Sequence, residues 1–174
     1  MFIESRRVKI SLTQEEYDFS ASIAKQRGAK ESRFGAMTYG NKRGGIEAHM
    51  LGVIPEMAVA KLLGCEIDTE VFDSHGDNGI DLQSKRHGKI GVKNTTYKND
   101  PFLRVEAEHF HDNIDIYILC SYDMNPHNVV NLIGYAKKEE VIEAEKRVFV
   151  DGGPLNYVLE EQDLHPISDL TNFS

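Results

Sequence analysis

Three observations predict an α/β domain with a central mixed β-sheet flanked by helices. Residues 13–27 and 46–63 carry helical character, residues 66–92 switch to a period of two, and IYILCS (residues 116–121) is an unbroken apolar run. Helices followed by several strands, with a further helix near the end, make a layered α/β architecture. The 174 residues fit one domain.

Each element has a local reason. Residues 13–27 (TQEEYDFSASIAKQR) read as a helix: Thr13 and Glu16 have capping-box spacing, and Gly28 follows the last turn. Residues 28–45 read as a mobile basic connection: Arg27, Lys30, Arg33, Lys42 and Arg43 stand in or beside it against one acid, Glu31. In residues 46–63, Met50, Val53, Met57, Ala60 and Leu63 recur every three or four positions. Pro55 inside this stretch predicts either a break near Gly52 or a new helix beginning at Pro55. Then EIDTEVF (66–72) reads as a strand and SHGDNG (74–79) as a loop. GIDLQS (79–84) and KIGVKNTT (89–96) read as strands joined by the turn KRHG. Residues 102–105 and 129–135 read as further strands, and 116–121 as the central one, buried on both faces. Residues 137–147 (KKEEVIEAEKR) read as a charged helix before an acidic tail. The first 45 residues thus lead into a core of 46–174 within a single domain.

Hydrophobic residues make up 40% and charged residues 28%, an ordinary globular composition. No apolar run approaches the ~18 residues that cross a bilayer, and the first residues lack a signal-peptide apolar region. No membrane partner is therefore expected. The formal charge of −8 disfavours a protein that coats nucleic acid. A local basic patch can still serve an enzyme of nucleic acids. Cys65 and Cys120 form neither a CxxC motif nor a disulfide framework and read as reduced, buried thiols.

The chemistry-bearing constellation lies in the hairpin. Strand alternation puts Ile80, Leu82, Ile90 and Val92 on one face and Asp81, Gly91 and Lys93 on the other. A carboxylate and an amine on adjacent strands are by themselves no more than a cross-strand ion pair. Glu56, on an otherwise apolar face of the helix expected to pack on this sheet, supplies a second acid. Residues 83–98 hold Lys85, Arg86, Lys89, Lys93 and Lys98 and no acid.

The set GVIPEMAVAKLLG, DNGIDL, IGVKNTT and IYILCS, closed by NYVLEEQDLHPISDL, resembles the PD-(D/E)XK nuclease superfamily, in particular its small bacterial and phage-borne members. The resemblance covers most of the chain after Gly44 and implies a restriction-endonuclease-like fold. It implies Mg²⁺- or Mn²⁺-dependent hydrolysis of DNA phosphodiesters by Glu56, Asp81 and Lys93. Asp81, Glu56 and the Val92 backbone carbonyl would hold the ion, and Lys85, Arg86, Lys89 and Lys98 would meet phosphate. Mg²⁺ takes hard oxygen ligands and activates water, and a lysine stabilises charge developing on phosphate. A cytoplasmic protein is expected (host cytoplasm for a phage-borne member), with DNA as partner and a homodimer compatible with the sequence.

One position departs from the pattern: Gly91 stands where the family places Asp or Glu, two residues before the lysine. Three explanations stand side by side. Another group, Glu56 or Gln83, replaces the acid; the protein binds DNA or a protein partner without cutting; or the chain is an altered form of an active enzyme. A glycine in mid-strand marks a bulge or a close approach.

Other signals are weaker. His109 and His111 form an HxH that would share a strand face, for which Glu108 or Asp112 would have to supply further ligands and no cysteine lies in the segment; they read as surface or DNA-facing histidines rather than zinc ligands. Asp73, Asp77 and Asp81 lack calcium-loop spacing. There is no P-loop, no GxGxxG and no GxSxG.

Overall fold

The computed structural model describes residues 6–34, 45–67, 81–110 and 112–171. After strand β1 (Val8–Ser11), Thr13 opens helix α1 (Gln14–Phe34). The capping box forms as the spacing predicts: the Glu16 N–H donates to Thr13 Oγ1 at 3.1 Å and the Thr13 N–H to Glu16 Oε2 at 2.8 Å. That backbone bond, helped by Lys61, holds the Glu16 carboxyl below its usual range.

α1 does not stop at Gly28 but runs on to Phe34, so the basic connection begins later than expected, and its residues 35–44 fall outside the described residues. A glycine inside a helix costs only about 1 kcal/mol. Burial of Ile23 and Ala24 against Val53 of helix α2 (Ile46–Leu63) outweighs that cost. A Cβ on Gly28 would lie 3.1 Å from Ile46 Cγ1, so the glycine lets the start of α2 approach.

α2 is unbroken, with Pro55 in its interior and Gly64 capping it. Neither expected alternative for Pro55 holds. An interior proline costs about 3 kcal/mol, but Val53, Ile54, Ala58 and Val59 around it are all fully buried. That packing holds the helix through the missing hydrogen bond.

Strands β2 (Leu82–Ser84), β3 (Gly88–Thr95), β5 (Ile116–Ser121) and β6 (Val129–Lys137) join β1 in a mixed five-stranded sheet, ordered β1-β6-β5-β3-β2. β3 and β5 run parallel and the other neighbours antiparallel. All six residues of β5 are buried, as expected of a central strand. Its two faces serve two cores. Ile116, Ile118 and Cys120 join Leu82 and Ile90 beneath Ile54, Ala58 and Val59 of α2. Tyr117 and Leu119 join Leu103, Val105, Ile114 and Ile133 on the opposite face.

That second core is closed by a three-stranded antiparallel sheet, β4 (Phe102–Glu106), β8 (Leu155–Glu160) and β7 (Glu145–Val148), in the order β4-β8-β7. β7 corrects the expected helix over 137–147, of which only α3 (Lys138–Ile142) is helical. The composition suits a helix, but Val141 is the only buried residue of α3, so no apolar face sustains more turns. Pairing with β8 takes Glu145–Val148 instead. A short α4 (Ser168–Thr171) follows. Of the strand expected at 66–72, Ile67 bridges to Leu82 and residues 68–72 lie outside the described residues, as do the loop at 74–79 and Ile80. No helix among the described residues is long and apolar enough to cross a membrane.

Candidate functional site

The β2–β3 hairpin positions the site. Its turn is closed by Ser84, whose Oγ accepts the N–H groups of Arg86 and His87, each at 3.2 Å. At the other end of β2 the ladder is irregular. Leu82 is the register partner of Ile90, yet the Asp81 N–H also donates to the Ile90 carbonyl at 3.0 Å. Two consecutive residues oppose one, as in a β-bulge, which re-aims a side chain. Asp81 Oδ2 accepts the Val92 N–H at 2.6 Å, a charge-assisted bond. The carboxylate is thereby fixed beside the middle residue of Gly91-Val92-Lys93.

The expected facial pattern holds in part. Leu82, Ile90 and Val92 pack in the core beneath α2, while Ile80 lies outside the described residues. Gly91 and Lys93 fall on the opposite face by alternation, with Tyr117 and Leu119 as their register partners on β5. Lys93 is half-buried and has no ion-pair partner among the described residues. A Cβ on Gly91 would lie 3.0 and 3.1 Å from Cδ1 and Cε1 of Tyr117, and 3.6 Å from Ile114 Cγ2. The glycine marks a close approach, and the Tyr117 ring, itself 2% exposed, fills the direction an acid at 91 would take.

Glu56 is 7% exposed, with its Oε2 3.7 Å from Arg27 Nη1 on α1. α2 covers the face of the sheet that carries Leu82 and Ile90, so Glu56 and Lys93 belong to opposite faces. The structure therefore joins Asp81 to the Val92 backbone and brings Arg27 to Glu56, while α2, which carries Glu56, packs on the sheet face opposite the one to which alternation assigns Lys93. The sequence placed Arg27 beside the basic connection, not next to Glu56, and did not single out Tyr117 as the neighbour of Gly91. Arg27 was legible as a cation four helical turns beyond a cap, but its pairing depends on how α1 crosses α2. Tyr117 depends on the β3–β5 register.

The basic residues divide between the two ends of β3. Lys85 and Arg86 are exposed in the hairpin turn and Lys89 is half-buried just inside it. The Lys89 N–H donates to Asp115 Oδ2, and the Asp115 N–H to the Lys89 carbonyl, both at 2.8 Å. Lys98 lies beyond the far end, its Nζ 3.2 Å from Asp123 Oδ2. Strand rise separates Gly88 from Thr95 by about 23 Å, so these cations form two groups rather than one patch. His109 belongs to a 3₁₀ turn, Ala107–His109, and not to a strand, so the shared-face reading of the HxH does not apply. Its Nε2 is 3.4 Å from Glu106 Oε2, and His111 lies outside the described residues. Cys120 is buried and Cys65 half-buried, and burial pushes both thiols up, away from reactivity.

Among the described residues no three or more His, Cys, Asp or Glu side chains gather as a metal cage. Asp73 and Asp77 lie outside the described residues. The Asp115 carboxylate sits by Lys89, nearer the hairpin turn; beside Val92 and Lys93 the described residues place one carboxylate, that of Asp81. That suits an ion that keeps several waters and binds through one or two carboxylates, as Mg²⁺ does; it does not suit zinc, which wants nitrogen and sulfur ligands. No protein-family model matches the chain, and no curated protein matches it.

Proposed function

We propose that this protein is a Mg²⁺- or Mn²⁺-dependent nuclease acting on DNA, with the restriction-endonuclease-like variety of the α/β fold. The observation that carries the reading is the Asp81 carboxylate, just before β2, fixed 2.6 Å from the backbone nitrogen of Val92 on β3, next to Lys93, which has no ion-pair partner among the described residues. Asp81 would hold the ion, with the Val92 carbonyl as a second oxygen. Glu56, on the α2 side and paired with Arg27, would contribute only by reaching past the edge of the sheet. When bound, the metal supplies charge for the phosphate and a more acidic water. The bond from the Val92 N–H orients the Asp81 carboxylate, and the Lys93 ammonium stabilises negative charge on the phosphoryl oxygens. Lys85 and Arg86 at one end of β3, and Lys98 at the other, offer phosphate contacts to either side of a bound strand.

The second reading is a protein of the same fold that binds DNA or a protein partner without cutting. Tyr117 in the space beside Gly91 favours it, because that space holds a ring in place of the family's acid.

Incubation of supercoiled plasmid with the purified chain and Mg²⁺ or Mn²⁺, against a chelator control, separates the two. The nuclease reading expects metal-dependent nicking that Asp81→Asn and Lys93→Ala each reduce by about 100-fold or more, with circular dichroism unchanged. A parent that retards DNA in a gel without cutting it establishes the binding reading. A parent that does neither removes both DNA readings.

A further inference from the structure

The hairpin turn that carries Lys85 and Arg86 is held more firmly than an exposed turn ordinarily is. Both side chains are exposed, yet three contacts fix the chain around them. Ser84 Oγ accepts the N–H groups of Arg86 and His87 from inside the turn. Asp115 exchanges two bonds with the backbone of Lys89, one of them through its carboxylate. The third contact is long-range. His87 Nε2 lies 2.8 Å from the Leu170 carbonyl, 83 positions further along the chain. A carbonyl oxygen only accepts, so Nε2 carries the proton and donates. Leu170 stands one residue before the end of α4, where helix carbonyls lack a helical partner and a histidine is a suitable donor.

The segment that His87 reaches is itself well seated. Arg7 holds the Glu161 carboxylate through two bonds of 2.6 Å, and Arg6 donates to the Leu164 carbonyl at 2.8 Å. His165 and Tyr135 exchange backbone bonds of 2.8 and 3.0 Å. Gly134 permits that approach, since a Cβ there would stand 2.8 Å from the His165 oxygen. Ile167 is fully buried and Leu170 is 4% exposed, both in the core beneath α2.

We propose that His87 is a positioning residue for DNA binding, which ties the Lys85–Arg86 turn to the C-terminal segment and so holds both cations ready for phosphate. This role rests on the DNA reading above, and it gives residues 161–171 a part in the affinity of the site. Ordering side chains and loops is a cost of association. A turn whose backbone is already fixed leaves less to order when phosphate binds.

Fluorescence anisotropy of a labelled DNA duplex, with metal chelated so that nothing is cut, tests the proposal. The chains compared are the parent, His87→Ala, His87→Gln, and His87→Ala added to Lys85→Ala with Arg86→Ala. His87→Ala should weaken binding about three- to tenfold, the worth of one hydrogen bond. His87→Gln, whose amide also donates, should recover most of that loss. Without the two cations, His87→Ala should change affinity less than about twofold, because nothing is left for it to position. A variant that merely unfolds loses affinity on both backgrounds, so equal losses overturn the proposal. So does His87→Gln as weak as His87→Ala. An unchanged affinity of His87→Ala, in a parent that binds DNA, overturns it while the DNA reading stands. A parent that binds no duplex also overturns it, and the plasmid assay above then decides the nuclease reading separately.

Discussion

Gly91→Ala is the sharpest perturbation the structure offers. The new methyl would stand 3.0 and 3.1 Å from Tyr117 and 3.6 Å from Ile114, so something must give. Tyr117 has little room to give: it is 2% exposed, and its ring lies 6.2 Å from that of Phe110 on centroids. Overpacking of this kind costs about 1–3 kcal/mol. Against it, replacing glycine restricts the unfolded chain and returns about 0.4–1 kcal/mol. The net expectation is a destabilisation of roughly 1–2 kcal/mol. Gly91→Asp should cost more, because it also buries a carboxylate beside apolar Ile114 and the ring.

Urea unfolding of the parent, Gly91→Ala, Tyr117→Leu and the double variant measures this directly. If the ring is the obstacle, Gly91→Ala costs less in the Tyr117→Leu background, with a coupling of about 0.5–3 kcal/mol. A Gly91→Ala protein that is as stable as the parent or more so, or a cycle with no coupling, refutes the close-approach argument and reopens position 91 to an acid.

Three further outcomes are expected. If DNA is bound, changing Lys85 and Arg86 together to Ala lowers the slope of log affinity against log salt by about two, while Lys98→Ala, already beside Asp123, lowers it less; an unchanged slope in the double variant places the DNA elsewhere. Burial pushes the Glu140 carboxyl up, but the Lys137 N–H and His165 outweigh it and leave it below its ordinary 4.5. A depressed carboxyl stabilises the fold above that value and loses the contribution as pH falls through its folded pKa. Stability should therefore decline below about pH 4.5, and Glu140→Gln should flatten that acid limb in denaturation measured from pH 6 to 3; an unaltered limb contradicts the assignment. Thr13→Ala removes the cap on the Glu16 N–H and should cost about 0.5–2 kcal/mol in thermal or urea melts; no loss would mean that the cap is redundant.

What was legible in the sequence was local. The Thr13–Glu16 cap, the Lys85–Gly88 turn and the apolar run of β5 each rest on residues within a few positions of one another. What was not legible rests on distant partners. β1 is four residues of half-buried and exposed alternation, made a strand only by pairing with β6. Residues 145–148 have helix-forming composition and become β7 because β8 lies beside them. Gly28 and Pro55 both resemble helix ends, and both are overridden where α1 and α2 pack.

The site divides along the same line. Asp81, Val92 and Lys93 could be related from the hairpin alone, since the turn sets their register. The relation of Glu56 to Lys93 could not, because the face α2 covers is decided by the whole sheet. Gly91 is the clearest case. In the sequence it is a mid-strand glycine, which the resemblance reads as a missing acid; in the structure it adjoins the space taken by a ring from a parallel strand 26 residues further on. The two descriptions are linked. While Tyr117 holds that space, an acid at 91 meets the ring before it meets any ion. On the proposed nuclease reading, placing an acid at 91 within reach of the site therefore requires two changes, the acid itself and a smaller residue at 117. Gly91→Glu alone should lose stability without gaining metal affinity. Only Gly91→Glu combined with Tyr117→Ala frees the carboxylate to turn toward Asp81.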